Sequence, residues 1–222
     1  MPVNKEKYQQ IKTELDAKQV TLVAVSKTKP IEDILDLYNL GQRDFGENYV
    51  QEMIEKAAQL PKDIRWHFIG HLQTNKVKLI APFVQLIHGV DSLKLLKEIN
   101  KEAARNNRVI DCLLQIHIAQ EETKFGLDEE ELDLIIGQLV DMPMPHIRVA
   151  GLMGMASFTD NMQNVKTEFR KLKEIFDRSV KSQTSNFKLQ TLSMGMSSDY
   201  KLAIEEGSNM VRIGSLLFGQ RG

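Results

Sequence analysis

The chain has 222 residues, 42% hydrophobic and 27% charged, which excludes a wholly disordered or fibrous protein. Lys and Arg number 29 against 30 Asp and Glu, so the net charge of −1 gives no reason to expect a nucleic-acid partner. The single cysteine, Cys112, excludes an internal disulfide framework and a cysteine-only zinc site. Composition shifts nowhere and no Gly/Ser/Pro linker interrupts the chain, so one domain over residues 1–222 is expected. The opening MPVNKEKYQQ has no apolar signal region, and no apolar run has the length of a membrane span. These features lead to the expectation of a soluble, cytoplasmic chain with no membrane partner. Nothing demands a dimer, so a monomer is expected.

A polar helix is expected over residues 4–18, ahead of VTLVAV (20–25), a short β-branched run suited to a buried strand. KTKP then leads into a helix over IEDILDLYNLG, with Pro30 at its start, Glu32 and Asp33 in its first turn and Gly41 at its end. Strands are expected at RDFGEN, WHFIG, VQLIHGV, VIDCLLQIHI, HIRVAGLMGM and LQTLSMG, with MVRIGSLLFG as the eighth. Between them lie amphipathic helices, from YVQEMIEKAAQL and the short NKVKLIAP to QNVKTEFRKLKEIFDRSVK and DYKLAIEEG. Eight strands alternating with helices predict parallel β–α units, and count and length fit one closed (β/α)8 TIM barrel of the α/β class. The rival is an open doubly wound sheet, which often carries a glycine-rich first turn. Here that turn is SKTKP, without glycine. The extra N-terminal helix is expected to cover one end of the barrel.

A barrel gathers its chemistry at the C-terminal ends of its strands. That rule selects Ser26 to Lys29 after strand one, Glu47, Asn48 and Tyr49 after strand two, and His71 after strand three. It also selects Glu121 to Lys124, MGMAS, SMGMSSDY, and Arg212, Gly214 and Ser215 at the last four strands. GMSS and RIGS bring small residues, hydroxyls and backbone N–H groups to the ends of strands seven and eight, where barrels often hold phosphate. Taken singly, Gly195 and Gly214 read as plain turn glycines; together at those two places they favour a phosphate cradle. Lys27 would sit at the barrel mouth with Lys29 on the same face of an extended chain, a neighbour that favours the neutral, reactive amine. The plain alternative for Lys27 is a solvated loop lysine. A lysine beside a phosphate cradle serves either a Schiff-base aldolase or pyridoxal 5′-phosphate. Arg212 could reach a pyridine nitrogen, or could instead pair with Glu205 or Glu206; spacing leaves both open.

At these residues the sequence resembles a known family. AVSKTKP, FGENYVQE, WHFIGHLQTNK, KFG, GLMGMAS, LSMGMSSDY and MVRIGSLLFG match, in order, the pyridoxal 5′-phosphate homeostasis proteins of the YggS/PROSC type, from about residue 20 to the C-terminus. The resemblance implies the barrel of the alanine racemase N-terminal domain and pyridoxal 5′-phosphate (PLP) as cofactor. It implies that Lys27 forms the aldimine, that Arg212 faces the pyridine nitrogen and that Asn48 lies beside the ring. It assigns the phosphate to Ser197, with Ser198 as the alternative, and to Gly214 and Ser215. His71 is a weaker candidate.

The same resemblance implies intracellular PLP homeostasis without clear turnover, the cofactor being buffered or passed on to apo forms of PLP-dependent enzymes. An arginine opposite the pyridine nitrogen disfavours its protonation and weakens the electron sink. Alanine racemase uses a second base from a further domain, for which a chain ending at Gly222 is expected to have no room. The alternative is a fold-type III enzyme resembling an amino-acid racemase.

The remaining features have plain readings. His67, His88, His117 and His146 lack metal-ligand spacing and read as structural histidines, and no metal is expected. Met153, Met155, Met194 and Met196 read as barrel-lining packing and Cys112 as an inert core thiol.

Overall fold

The predicted runs become strands because they are short, flanked by turn residues and in most cases carry β-branched side chains, and the amphipathic segments that follow cover them as helices. A computed structural model describes residues 3–120, 125–142, 144–182 and 187–219. Helix α1 (Lys5–Ala17) precedes strand β1 (Thr21–Val25) and α2 (Ile31–Asn39). Then come β2 (Asp44–Glu47), α3 (Val50–Gln59), β3 (Arg65–Phe68), α4 (Val77–Ile80), β4 (Leu86–Val90) and α5 (Leu93–Arg105). They are followed by β5 (Ile110–Gln115), α6 (Glu129–Asp141), β6 (Ile147–Met153) and α7 (Met162–Ser179). Last are β7 (Phe187–Ser193), α8 (Tyr200–Glu205), β8 (Met210–Ile213) and α9 (Ser215–Phe218). The strands pair in chain order and in parallel, and β1 closes on β8 through Thr21↔Met210 and Ala24↔Ile213. The expected (β/α)8 barrel is therefore the fold.

Helix starts follow local chemistry. The Asn4 and Asn161 side chains accept backbone N–H groups at the first turns of α1 and α7, and Asp128 with Glu131 forms a reciprocal capping box on α6. Strand alternation then sorts side chains into two layers. Val23, Leu86, Leu113, Met153 and Met210 pack together inside the barrel, while Leu22, Ala24, Phe45, Phe68 and Ile87 pack outward under the helices.

Three expectations need correcting. The N-terminal helix does not cover a barrel end. It stands in the outer ring, reaching α2 through Lys5–Asp36 at 2.8 Å and α8 through the Tyr200 hydroxyl, which donates to Glu14 at 3.4 Å. It thereby fills the place a full helix after β8 would take, because α9 is a single turn. The eighth strand is also shorter than the run MVRIGSLLFG: extended structure stops at Ile213, and Ser215–Phe218 turn into α9. Of the four methionines, Met153 and Met155 pack in the barrel interior, Met194 faces the helix layer and Met196 lies at the mouth.

The interior also carries a polar line. Asp44, His67, His88, Ser193 and Arg212, from β2, β3, β4, β7 and β8, touch one after another across the barrel. His88 and Ser193 stand on strands that are not neighbours, so their contact crosses the interior. Burial would raise Asp44, but hydrogen bonds from Arg65 and His67 outweigh it and hold the carboxyl at about 2. The folded value lies below the ordinary 3.8, so this stabilisation is complete above pH ~4 and is lost as pH falls through 2. In urea unfolding, Asp44→Asn should be less stable than the wild type by on the order of 2 kcal/mol at pH 7. That gap should shrink as the pH falls from 4 toward 2; a gap independent of pH would contradict the assignment.

Candidate cofactor site

Strand ends and the loops after them enclose a cavity of about 530 Å³ at the C-terminal mouth of the barrel. Lys27, Asn48, Ser197, Arg212, Gly214 and Ser215 all line it, as does Ser198. Lys29 is the only other charged residue in its wall, so among the described lining residues every charge is positive.

Lys27 follows β1 in a turn rather than on an extended chain. Thr28 has φ 63°, a left-handed conformation costly for a β-branched residue, and the Lys29 backbone N–H donates to the Ser26 carbonyl at 3.0 Å. The expectation that Lys27 and Lys29 share a face of an extended strand is thus corrected. The Lys29 ammonium instead donates to the carbonyl of Phe218, at 2.9 Å, at the end of α9. The strained turn is held from beneath by Ser26 and Glu47, which the strand-end rule selected, and by Glu52 and Lys56, which sequence spacing did not single out. Glu52 accepts the Thr28 backbone N–H at 2.6 Å. The Lys56 ammonium donates to the Ser26 carbonyl, to Glu47 and to Glu52, at 2.7–2.8 Å. The Ser26 hydroxyl donates to Glu47 at 2.6 Å. Burial pushes the Glu47 carboxyl upward against the pull of Lys56 and Ser26.

Asn48 follows β2 and faces the cavity beside the end of β3. A Cβ at Gly70 would lie 2.4 Å from the Asn48 carbonyl oxygen, so the glycine of WHFIG permits this close approach. The nearby loop after β6 is pinned by Glu168 of α7, which accepts both the backbone N–H and the hydroxyl of Ser157 at 2.6–2.7 Å.

Arg212, 4% exposed, ion-pairs with no carboxylate among the described residues. Glu206, one of its expected alternatives, is engaged by Arg170 and Lys166. The Arg212 guanidinium donates through Nη1 to the Ser193 carbonyl at 3.0 Å and hydroxyl at 2.7 Å, and through Nη2 to the Gly154 carbonyl at 3.1 Å. Burial lowers it to about 10 while Asp199 draws it back up, so it stays protonated and donates only.

The ends of β7 and β8 form a small-residue cradle. The Ser197 hydroxyl accepts the Gly214 backbone N–H at 3.2 Å, and Asp199 accepts the Met196 backbone N–H at 2.6 Å. Gly195 has φ 95°, and a Cβ there would meet the Ala203 side chain at 2.5 Å. Ser215 opens α9 beside them, so the RIGS segment presents a helical turn to the cavity rather than a strand.

His71 is not in the cavity wall; it stacks on Phe125 at 4.3 Å and contacts Asp91 at 3.1 Å. Glu121, Glu122, Thr123 and Lys124 fall outside the described residues. Cys112 is fully buried, with burial and Asp111 pushing its thiol up, as an inert core thiol requires. Among the described residues no group of three or more His, Cys, Asp or Glu could hold a metal.

The model of the alanine racemase N-terminal domain family matches residues 4–222. The pyridoxal phosphate homeostasis protein of Aquifex aeolicus is 44% identical over 201 residues, 90% of this chain and 86% of that protein. This chain belongs to the pyridoxal phosphate homeostasis protein family. The Homo sapiens member is 40% identical over 218 residues, 94% of this chain and 79% of its own length. PipY of Synechococcus elongatus PCC7942, solved with PLP bound, superposes with a TM-score of 0.86 at 33% identity, covering 96% of this chain and 99% of PipY. Alanine racemase of Clostridium difficile shares the barrel at 15% identity and a TM-score of 0.79, covering 99% of this chain and 61% of its own.

The homeostasis-family barrel thus carries its cavity lysine on a strained loop braced by a buried ion pair. Lys56→Met would strand the buried Glu47 carboxylate and should cost about 3 kcal/mol in urea unfolding. Adding Glu47→Gln should recover part of that loss; strict additivity of the two substitutions would show that they do not interact.

Proposed function

We propose that this chain binds pyridoxal 5′-phosphate in the mouth cavity and acts in PLP homeostasis, holding the cofactor without turnover. The single observation behind this reading is that an amine, a buried guanidinium and a serine–glycine cradle line one cavity of about 530 Å³. These donors fit the group. The wall is cationic and presents hydroxyls, which suits a phosphate dianion. Three N–H groups of Arg212 go to Ser193 and Gly154; the others are available to an acceptor without a proton, such as a pyridine nitrogen. Bound PLP supplies an electrophilic aldehyde, which an amine attacks with loss of water.

In this reading Lys27 Nζ is the attacking amine, and the turn at Thr28 aims it into the cavity. Arg212 donates to the ring nitrogen and, staying protonated, keeps that nitrogen unprotonated. Ser197, Gly214 and Ser215 hold the phosphate, and Asn48 flanks the ring. Ser198 lines the same wall but its hydroxyl donates toward Asp199 at 3.4 Å, which favours Ser197 as the phosphate ligand.

Restraint of chemistry follows from the same residues. A neutral pyridine is a weak electron sink, so carbanion formation at a bound amino acid is disfavoured. Lys29, the other candidate base in the wall, is engaged with the Phe218 carbonyl. The role so described is that of a cytoplasmic monomer buffering a reactive aldehyde and releasing it to apo forms of PLP-dependent enzymes.

Purified protein should be yellow. Borohydride reduction followed by peptide mass analysis should place the label on Lys27, and Lys27→Ala should lose the visible band. Label on another lysine would overturn the assignment. Incubation with a panel of amino acids in deuterated water should give no exchange of the α-proton at a useful rate. Rapid exchange would make the chain a racemase-like enzyme instead.

A further inference from the structure

The polar line inside the barrel has its ends set by residues of fixed character. At the mouth, Arg212 can only donate. At the far end, Asp44 is ionised and can only accept, and it also receives both Arg65 Nε and Nη2, at 2.7 and 2.5 Å. Between them Arg212 Nη1 lies 2.7 Å from Ser193 Oγ, which lies 3.3 Å from His88 Nδ1. His88 Nε2 is 3.0 Å from His67 Nδ1, and His67 Nε2 is 3.1 Å from Asp44 Oδ1.

For neutral rings, these contacts allow one direction of donation. Asp44 needs a donor, so His67 carries its proton on Nε2 and leaves Nδ1 as acceptor. His88 must then donate from Nε2, which leaves its Nδ1 bare. The Ser193 hydroxyl donates to that nitrogen and turns its lone pairs to Arg212. Reversing the chain would place a bare His67 Nε2 against the Asp44 carboxylate. His88 is fully buried, and that burial, the largest cause, holds it far below the ordinary imidazole range, consistent with a neutral ring.

We infer that Asp44, His67 and His88 are positioning residues, which orient the Ser193 hydroxyl as the acceptor that aims the Arg212 guanidinium at the cofactor's ring nitrogen. This rests on the proposed PLP site. The chain spans from β2 to β8, so Arg212 is held by the far side of the barrel as well as by its own neighbours. A guanidinium fixed in this way meets the cofactor in one orientation and has no freedom to withdraw from the ring nitrogen.

Two measurements test the inference. In chain free of cofactor, nitrogen NMR of the histidines should find both His67 and His88 protonated on Nε2 at neutral pH. A proton on Nδ1 of His88 would overturn the inference whether or not PLP binds. The second measurement compares variants by PLP titration and by the visible spectrum of the bound cofactor. Ser193→Ala and His88→Leu should each weaken binding about tenfold and shift the band. Ser193→Thr keeps the hydroxyl. His88→Gln offers one acceptor and one donor in the order that neutral His88 does. Both should stay within about twofold of wild type and keep its band. If His88→Leu does not fold, Ser193→Ala against Ser193→Thr decides the matter. Wild-type affinity and spectrum in Ser193→Ala would overturn the positioning role. Failure of the wild-type chain to bind PLP would instead sink the proposed site.

Discussion

A charged guanidinium inside a barrel is the constraint on which the site depends. Arg212 sits where a (β/α)8 barrel normally packs branched aliphatic side chains, and an ion there loses most of its hydration. With no ion-pair partner among the described residues, it is solvated by dipoles: the Ser193 carbonyl and hydroxyl and the Gly154 carbonyl. Those acceptors lie at the ends of β7 and β6, so β6, β7 and β8 must hold their relative heights for the charge to be tolerated. Ser208 and Asn209 help, because direct pairing of β7 with β8 is confined to Ser193↔Met210. The Ser208 hydroxyl bridges toward the carbonyls of Leu192 and Met194, while Asn209 accepts the Leu192 backbone N–H.

The mouth loops obey a related rule. Three of them are anchored by a carboxylate that accepts a loop backbone N–H: Glu52 for Thr28, Glu168 for Ser157 and Asp199 for Met196. A carboxylate is the strongest acceptor a side chain can offer to a peptide N–H. These anions lie behind the loops, outside the cavity wall, which therefore stays cationic. Negative charge shapes the site while positive charge lines it. This division also explains how a chain of net charge −1 presents an anion-binding cavity.

What could be read in the sequence follows from the range of each interaction. Strand and helix alternation is local, so VTLVAV, WHFIG and their successors marked the barrel. The strand-end rule then brought Lys27, Asn48, Ser197, Arg212, Gly214 and Ser215 into consideration, and the structure places all six on one cavity. Local reading failed where closure decides the outcome. The contact between His88 and Ser193 spans 105 positions and arises only when the sheet closes. His67 and His88 therefore read as separate structural histidines. Glu168 and Lys56 looked like ordinary members of charged helices, since nothing in KTEFRKLKEI marks which carboxylate turns inward. The place of α1 in the ring depends on how short α9 is, and α9 itself was hidden in an apolar run that also suits a strand.

On the proposed function, the cavity's chemistry would favour retention over turnover. Reversible proton transfer to and from a substrate carbon needs groups that change protonation state near neutral pH. Of the charged groups in the wall, Arg212 stays protonated and Lys29 donates to a backbone carbonyl, and the proposed function assigns the amine's role to Lys27. If that amine is committed to holding the aldehyde, Lys29 and Arg212 are the remaining charged side chains of the described wall. The inferred positioning line of Asp44, His67, His88 and Ser193 would reinforce the fixed state of Arg212. On that proposal, a site arranged in this way would stabilise one bound form of a reactive aldehyde, which is the physical requirement for storing it.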